Sequence, residues 1–590
     1  MKQFLITVAG VFVGLAIFMI GVPFLLLTAA AGALAPAPLP AKAVIAVDLR
    51  GAMTDQDAGL GSIFQGGSTS VISILDTLRR AEKDDRIKGL FVRLPEGGIA
   101  PAAADELRAG FKHFRATGKP IYAHSQGLYA SGAIASTYML GASADALWMQ
   151  PDSAFQAVGM ANNDIFLKRA FDKYGVKPEY AQRYEYKNAV NPYLYSDYTA
   201  AHRESELGWM GSIYTSAVSA AAADRKQAPQ ALLQTMAAGP YSAEQALGLK
   251  LIDRVGQVKD AEDALIKAAG ADAKVVSLRE YRGSLKAPQL TGRPTIAYVG
   301  AEGPIMTGSS DSTSSPFSGS ETVYSDDVAK ALYDAAQDKD VKAVVFRVSS
   351  PGGSDTASEQ ILSGVRAVKA AGKPVVVSMG TYAASGGYWI SSQATEIVAD
   401  PTTLTGSIGV YGGKFALGEA AARFGVDMRA LTVGGDYADA FDPSKAFTPD
   451  QRAKFEAWMD QIYSGFVTRV AQGRKLPVER VREIAKGRVW TGAEARSLGL
   501  VDHLGGYYDA IDRAKALAKI DGEAKIKRFG GPSSPFDFIG RSIGLTAASA
   551  RTLAASAWLL GDPTAKKIMD QALTARLRSQ GANVLGDQPF

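Results

Sequence analysis

Two segments of the chain each carry one half of a nucleophile–base pair. Ser385 stands in Ala-Ala-Ser-Gly-Gly-Tyr, after the apolar run PVVVSMG. Lys187 stands in Tyr-Glu-Tyr-Lys-Asn-Ala. A serine hydroxyl is a weak nucleophile until a base takes its proton. A lysine can be that base at neutral pH when burial lowers its pKa from about 10.4 to about 7–8. Such a shift is a bias of about 4 kcal/mol against the ammonium. Displaced along the chain by about 250 residues, both segments have counterparts. There Ala135 faces Ser385, and Ala438 faces Lys187. Each copy lacks the partner that the other keeps, so one complete site must draw on both.

Neither residue is diagnostic alone. Serine among Ala and Gly also suits tight helix–sheet packing, and the pattern is not the G-x-S-x-G elbow of a hydrolase triad. A lysine beside Glu185 is commonly a solvated surface charge. The duplication singles it out, because the second copy keeps the flanking Tyr and Pro while the amine is gone. Tyr184 and Tyr186 offer an apolar wall that would lower its pKa. A histidine base is the competing expectation, but the four histidines, His113, His124, His202 and His503, occupy unremarkable contexts. The chain has no cysteine, which excludes disulfides, thiolate zinc sites and a cysteine nucleophile. Neither a metal nor a cofactor is expected.

The elements that must position these residues also come in pairs. The run at 44–51 resembles that at 295–303, 87–98 matches 341–353, 117–125 matches 371–379, and 247–256 matches 498–506. Their order is unchanged and their offsets stay near one value, so the chain is a tandem duplication. The runs read as buried strands ending at glycine turns. Between them, residues 71–84, 326–340 and 356–371 have the apolar spacing of amphipathic helices. Strand, glycine turn, helix, strand is the pattern of an α/β fold with a parallel sheet covered by helices. In this frame Ser385 falls at a strand-to-helix turn, where exposed N–H groups stabilise a developing oxyanion.

The chain has 590 residues, 47% hydrophobic and 21% charged, with net charge +5. A large buried core is possible, and so weak and mixed a charge does not suggest nucleic acid. From Phe4 to Leu34 there is no charged residue. That exceeds the about 20 apolar residues needed to span a bilayer, with a cleaved signal peptide as the alternative that the small residues Ala29–Ala33 leave open. The expected organisation is a transmembrane anchor (1–34), a Pro/Ala linker (35–43), an N-terminal repeat (44–285), a C-terminal repeat (293–530) and a helical tail (531–590). Lys2 and the terminal amine place the short end inside, leaving the bulk outside the inner membrane. Residues 307–320 are nearly devoid of apolar side chains and read as a loop.

Ser385 with Lys187, the Pro351-Gly352-Gly353 turn, the run YWISSQATEIVADPTTLTGSIG and the duplication together closely resemble the signal peptide peptidase A (protease IV) family, in its long bacterial form. The resemblance covers roughly residues 40–530. It implies tandem crotonase-like, Clp-protease-like domains and a Ser–Lys dyad protease, with Ser385 as nucleophile and Lys187 as general base. Ser407 matches a family serine that hydrogen-bonds the lysine. Oxyanion donors would be the N–H groups of Gly386 and of either Gly352 or Gly353. The resemblance further implies a homotetrameric bowl on the periplasmic side of the inner membrane, acting on released signal peptides and other short apolar peptides. Two rival readings use the same fold: a crotonase-type acyl-CoA enzyme, and a non-enzymatic membrane scaffold.

Overall fold

Short apolar runs between glycine turns become parallel strands here, and the segments of helical period lie against them. The computed structural model describes residues 39–56, 69–270, 272–285, 292–310 and 322–530. These lie in one unit, Pro38–Gly531. The expected anchor, the first four residues of the linker (35–38), residues 311–320 of the polar loop and the tail fall outside the described residues. Among the described residues no helix is long and apolar enough to cross a membrane.

The first-half strands form a six-stranded sheet in the order Arg254–Val255, Ala146–Met149, Ile121–Ser125, Ile87–Arg93, Ala43–Asp48, Lys274–Ser277, with every pairing parallel. The second half repeats this order with His503–Leu504, Glu396–Ala399, Val375–Ala384, Val341–Ser350, Thr295–Glu302 and Lys525–Phe529. Each half adds a short antiparallel pair, Ala154–Phe155 with Tyr241–Ser242 and Leu404–Gly406 with Val489–Thr491. Central strands such as Val341–Ser350 are buried along nearly their whole length. Helices on both faces demand that, so these strands read as continuous apolar runs. The expected helices occur at Val71–Glu82, Ser325–Gln337 and Asp355–Ala370. Ser70 and Ser354 cap the first and last by accepting the N–H of Ser73 and Ala357.

Two features tie the repeats together. Strand Lys177–Arg183 of the first half pairs antiparallel with Val410–Ala416 of the second, from Arg183 opposite Val410 to Lys177 opposite Ala416. Phe415 lies edge-on to Phe171, Tyr180 and Tyr193, at centroid distances of 5.5, 5.1 and 5.3 Å. The second tie is a buried charge cluster. Arg347 of the second half donates to Asp55 (2.9 Å from Nε) and Glu106 (2.6 Å) of the first, and to Ser378 Oγ (2.8 Å). Its guanidinium is fully enclosed, so both carboxylates are needed to offset its desolvation.

Candidate active site

Ser385 follows the last residue of strand Val375–Ala384 and precedes the helix Gly386–Ser391. Its backbone has φ +53 and ψ −119, a conformation that non-glycine residues rarely adopt. Such strain costs of order 1–3 kcal/mol and persists only where the surroundings impose it. Here the Ser385 N–H donates to Gly406 O (2.9 Å), and the Ser385 carbonyl accepts from Trp389 N–H (2.9 Å). Glycine at the next position lets the turn close tightly, since a Cβ on Gly386 would stand 2.7 Å from Ser358 Oγ and 3.1 Å from Gly353 N. The strand-to-helix turn therefore strains and exposes the serine as a nucleophile elbow does, although the elbow motif is absent from the sequence.

Lys187 arrives from the other repeat. It lies four residues beyond the cross-repeat strand Lys177–Arg183, and Ser407 lies three residues before its partner strand Val410–Ala416. Pairing Arg183 with Val410 thus delivers both residues to the same end of the ribbon. Lys187 Nζ stands 3.0 Å from Ser385 Oγ, 2.9 Å from Ser407 Oγ and 2.9 Å from Ser407 O. The lysine is only 4% exposed. Burial alone lowers its pKa from 10.5 to about 7. That is a bias of about 5 kcal/mol against the ammonium. A neutral amine has two N–H donors and one lone pair. Ser407 can take both hydrogens, on its carbonyl and its hydroxyl, which aims the lone pair at the Ser385 hydroxyl.

The apolar wall expected from Tyr184 and Tyr186 is not where those rings make their contacts. Tyr184 is half in solvent and stands edge-on to Tyr463, while Tyr186 donates to Glu204 and lies under the Arg488 guanidinium. Glu185 pairs with Lys486 at 2.9 Å, which occupies the neighbouring carboxylate. Backbone encloses the lysine instead. Tyr184 and Tyr186 N–H both donate to Lys486 O (3.1 and 3.2 Å). Gly487, at φ +84, lies so close that a Cβ there would be 2.6 Å from the Lys187 Cβ. This buttress was not anticipated from the sequence. In IAKGRVW the glycine looks like an ordinary helix stop after Val478–Ile484.

The glycine turn beside Ser385 separates two of the expected donors. Gly352 N–H donates to Ser350 Oγ (3.1 Å). Among the described residues, the N–H groups of Gly353 and Gly386 make no hydrogen bond. The Gly353 nitrogen would lie 3.1 Å from a Cβ on Gly386, so the two glycines are close neighbours beside the serine. The histidines are elsewhere. His124 is buried against Gly256 O, His202 faces Asp164, and His503 faces Glu396. Ala135 is buried in the first turn of helix Ile134–Ala142, and Ala438 lies in an exposed turn. Among the described residues no cluster of acidic or histidine side chains could hold a metal.

Comparison with known proteins matches the chain twice to the model "Peptidase family S49", over residues 113–272 and 367–521. "Protease 4" of Salmonella typhi is 34% identical over 504 residues, which covers 81% of this chain and 79% of that protein. "Protease 4" of Haemophilus influenzae is 30% identical over 484 residues, covering 78% and 75%. "Serine protease SPPA, chloroplastic" of Arabidopsis thaliana is 29% identical over 493 residues, covering 82% and 70%.

Proposed function

The chain belongs to peptidase family S49 and is a serine protease; from that premise we propose that it cleaves peptides with Ser385 as nucleophile and Lys187 as general base. The observation that carries this reading is the 3.0 Å contact between a half-buried serine hydroxyl and a lysine amine that burial holds near neutrality.

The reaction starts with neutral Lys187 taking the Ser385 proton as Oγ attacks the scissile carbonyl. Ser407 holds the amine through its carbonyl and hydroxyl. The tetrahedral oxyanion is held by the N–H groups of Gly353 and Gly386. One such donor is worth about 10²–10³ in rate. Lys187 then protonates the leaving amine, and water hydrolyses the acyl-enzyme. Treatment with a fluorophosphonate should label Ser385. Ser385→Ala and Lys187→Ala should each abolish hydrolysis of an apolar peptide reporter. Full activity in either variant would reject the dyad.

The substrates are released signal peptides and other short apolar peptides, and the uncharged run Phe4–Leu34 anchors the enzyme beside their source, with the catalytic bulk on the periplasmic side. N-terminal sequencing of the membrane fraction tests whether that segment is retained. A homotetramer is the proposed assembly. It is supported by exposed apolar residues in the second repeat, Leu431 at 101% and Val433 at 96%. They occupy the counterpart of strand Lys177–Arg183, which in the first repeat is covered by its partner strand. Sedimentation at working concentration tests this, and a monomer would remove it.

A further inference from the structure

The first repeat retains the outline of the site whose serine it lacks. Tyr138 donates to Leu251 O (3.0 Å) and Tyr388 to Leu500 O (2.9 Å), so the two helices are anchored alike and Ala135 takes the place of Ser385. The Gly97–Gly98 turn still backs onto the start of its helix, since a Cβ on Gly98 would lie 2.5 Å from Ala133 N. A cavity of about 240 Å³ opens at this place. Gly98, Ala133, Met160 and Trp209 of the first repeat form one side, and Tyr382 and Leu404 of the second form the other. No charged side chain lines it.

The cavity borders the strand that leads to Ser385. Tyr382 pairs with Leu404, Ala383 with Thr405 and Ala384 with Gly406, and the next residue of the first strand is Ser385. At about 3.3 Å per residue, Tyr382 lies about 10 Å from the serine along that strand. Tyr382 is 45% exposed, so its ring borders open space. An extended peptide advances by the same rise per residue. A chain whose scissile carbonyl is at Ser385 therefore brings a side chain to the cavity about three or four residues away. The volume is smaller than the about 300–1,000 Å³ of a site for a whole small molecule, and it suits a side chain. Met160 supplies a wall that adapts to shape.

We propose that the serine-less site of the first repeat is a second subsite for the peptide cleaved at Ser385, receiving an apolar side chain a few residues from the scissile bond. This rests on the serine-peptidase reading of Ser385. The test compares a p-nitrophenyl butyrate ester, too short to reach the cavity, with a fluorogenic hexapeptide of leucine and alanine, using the full chain. In Met160→Asp and in Tyr382→Ala, KM for the hexapeptide should rise about tenfold or more with kcat little changed. Ester turnover and fluorophosphonate labelling of Ser385 should stay at the parent level. If neither variant separates the two reporters, whether both rates persist or both fall together, the subsite is wrong. If the unsubstituted chain neither labels nor turns over either reporter, the Ser–Lys reading fails and the subsite falls with it.

Discussion

Arg183 sits opposite Val410 at one end of the only strand pair that crosses between the repeats among the described residues. That register sets where the chain turns toward Lys187 on one side and away from Ser407 on the other. A slip of one residue would turn every side chain of the strand to the opposite face. The lysine would then lose its place against Ser385 while both sheets stayed intact.

The charge state of Lys187 predicts that activity and stability both rise with pH, in successive windows. The amine must be neutral to act, so kcat/KM should rise with pH through about 7 and then level off. Its folded pKa lies below the ordinary 10.5, so between about 7 and 10.5 the unfolded chain binds more protons and stability rises with pH. Lys187→Met removes the buried amine. Its gain in melting temperature should be largest at pH 7 and below, and should vanish near pH 10.5. A gain independent of pH would mean that the amine is not held neutral.

Ser407→Ala tests how the amine is aimed. The hydroxyl is one of two acceptors that Ser407 offers Lys187. Its loss hurts the ammonium more than the amine, because charge-assisted bonds are the stronger. The activity limb should move to lower pH, and plateau kcat should fall about 10–100-fold as the lone pair loses its direction. Peptide KM should not change. An unmoved limb with full kcat would leave Ser407 without a part in orienting the lysine.

Gly487→Ala places a methyl 2.6 Å from the Lys187 Cβ, at a position with φ +84. The backbone strain costs of order 1–3 kcal/mol. Activity should suffer far more than stability, with kcat down about 10²-fold or more, since misplacing a catalytic group by about 1 Å costs that much. Circular dichroism and peptide kinetics on the same sample separate the two effects. Wild-type kcat would show that the Lys486–Gly487 turn does not position the lysine.

Arg347→Met removes the cation between Asp55 and Glu106 and leaves two buried carboxylates without it. Breaking such a buried network typically costs about 3–5 kcal/mol. Urea unfolding should show that loss, and activity should fall at urea concentrations where the parent enzyme is intact, because the site is shared by the two repeats that Arg347 joins. A loss under about 1 kcal/mol would make the cluster a minor tie.

Much of this was legible in the chain. Paired apolar runs and helical spacings carry their own periodicity, so the strands around Val341–Ser350 and helices such as Asp355–Ala370 fall where the pattern puts them. The strand pair that assembles the site carried no such sign. KPEYAQR contains a proline and mostly polar side chains, and VYGGKFA contains two glycines. Both are strands because each finds the other, a non-local pairing that propensity does not encode.

By itself the amino-acid sequence determined the duplication, the α/β pattern and the two residues left without partners in their own copies, because those are matters of residue type and spacing along one dimension. Only the tertiary structure decided that Lys187 is enclosed by the Gly487 turn rather than by tyrosines, that Gly352 gives its N–H to Ser350 while Gly353 does not, and that Ser385 is held at positive φ. Those depend on distances between segments far apart in the chain, and such distances are set by the packing of one repeat against the other.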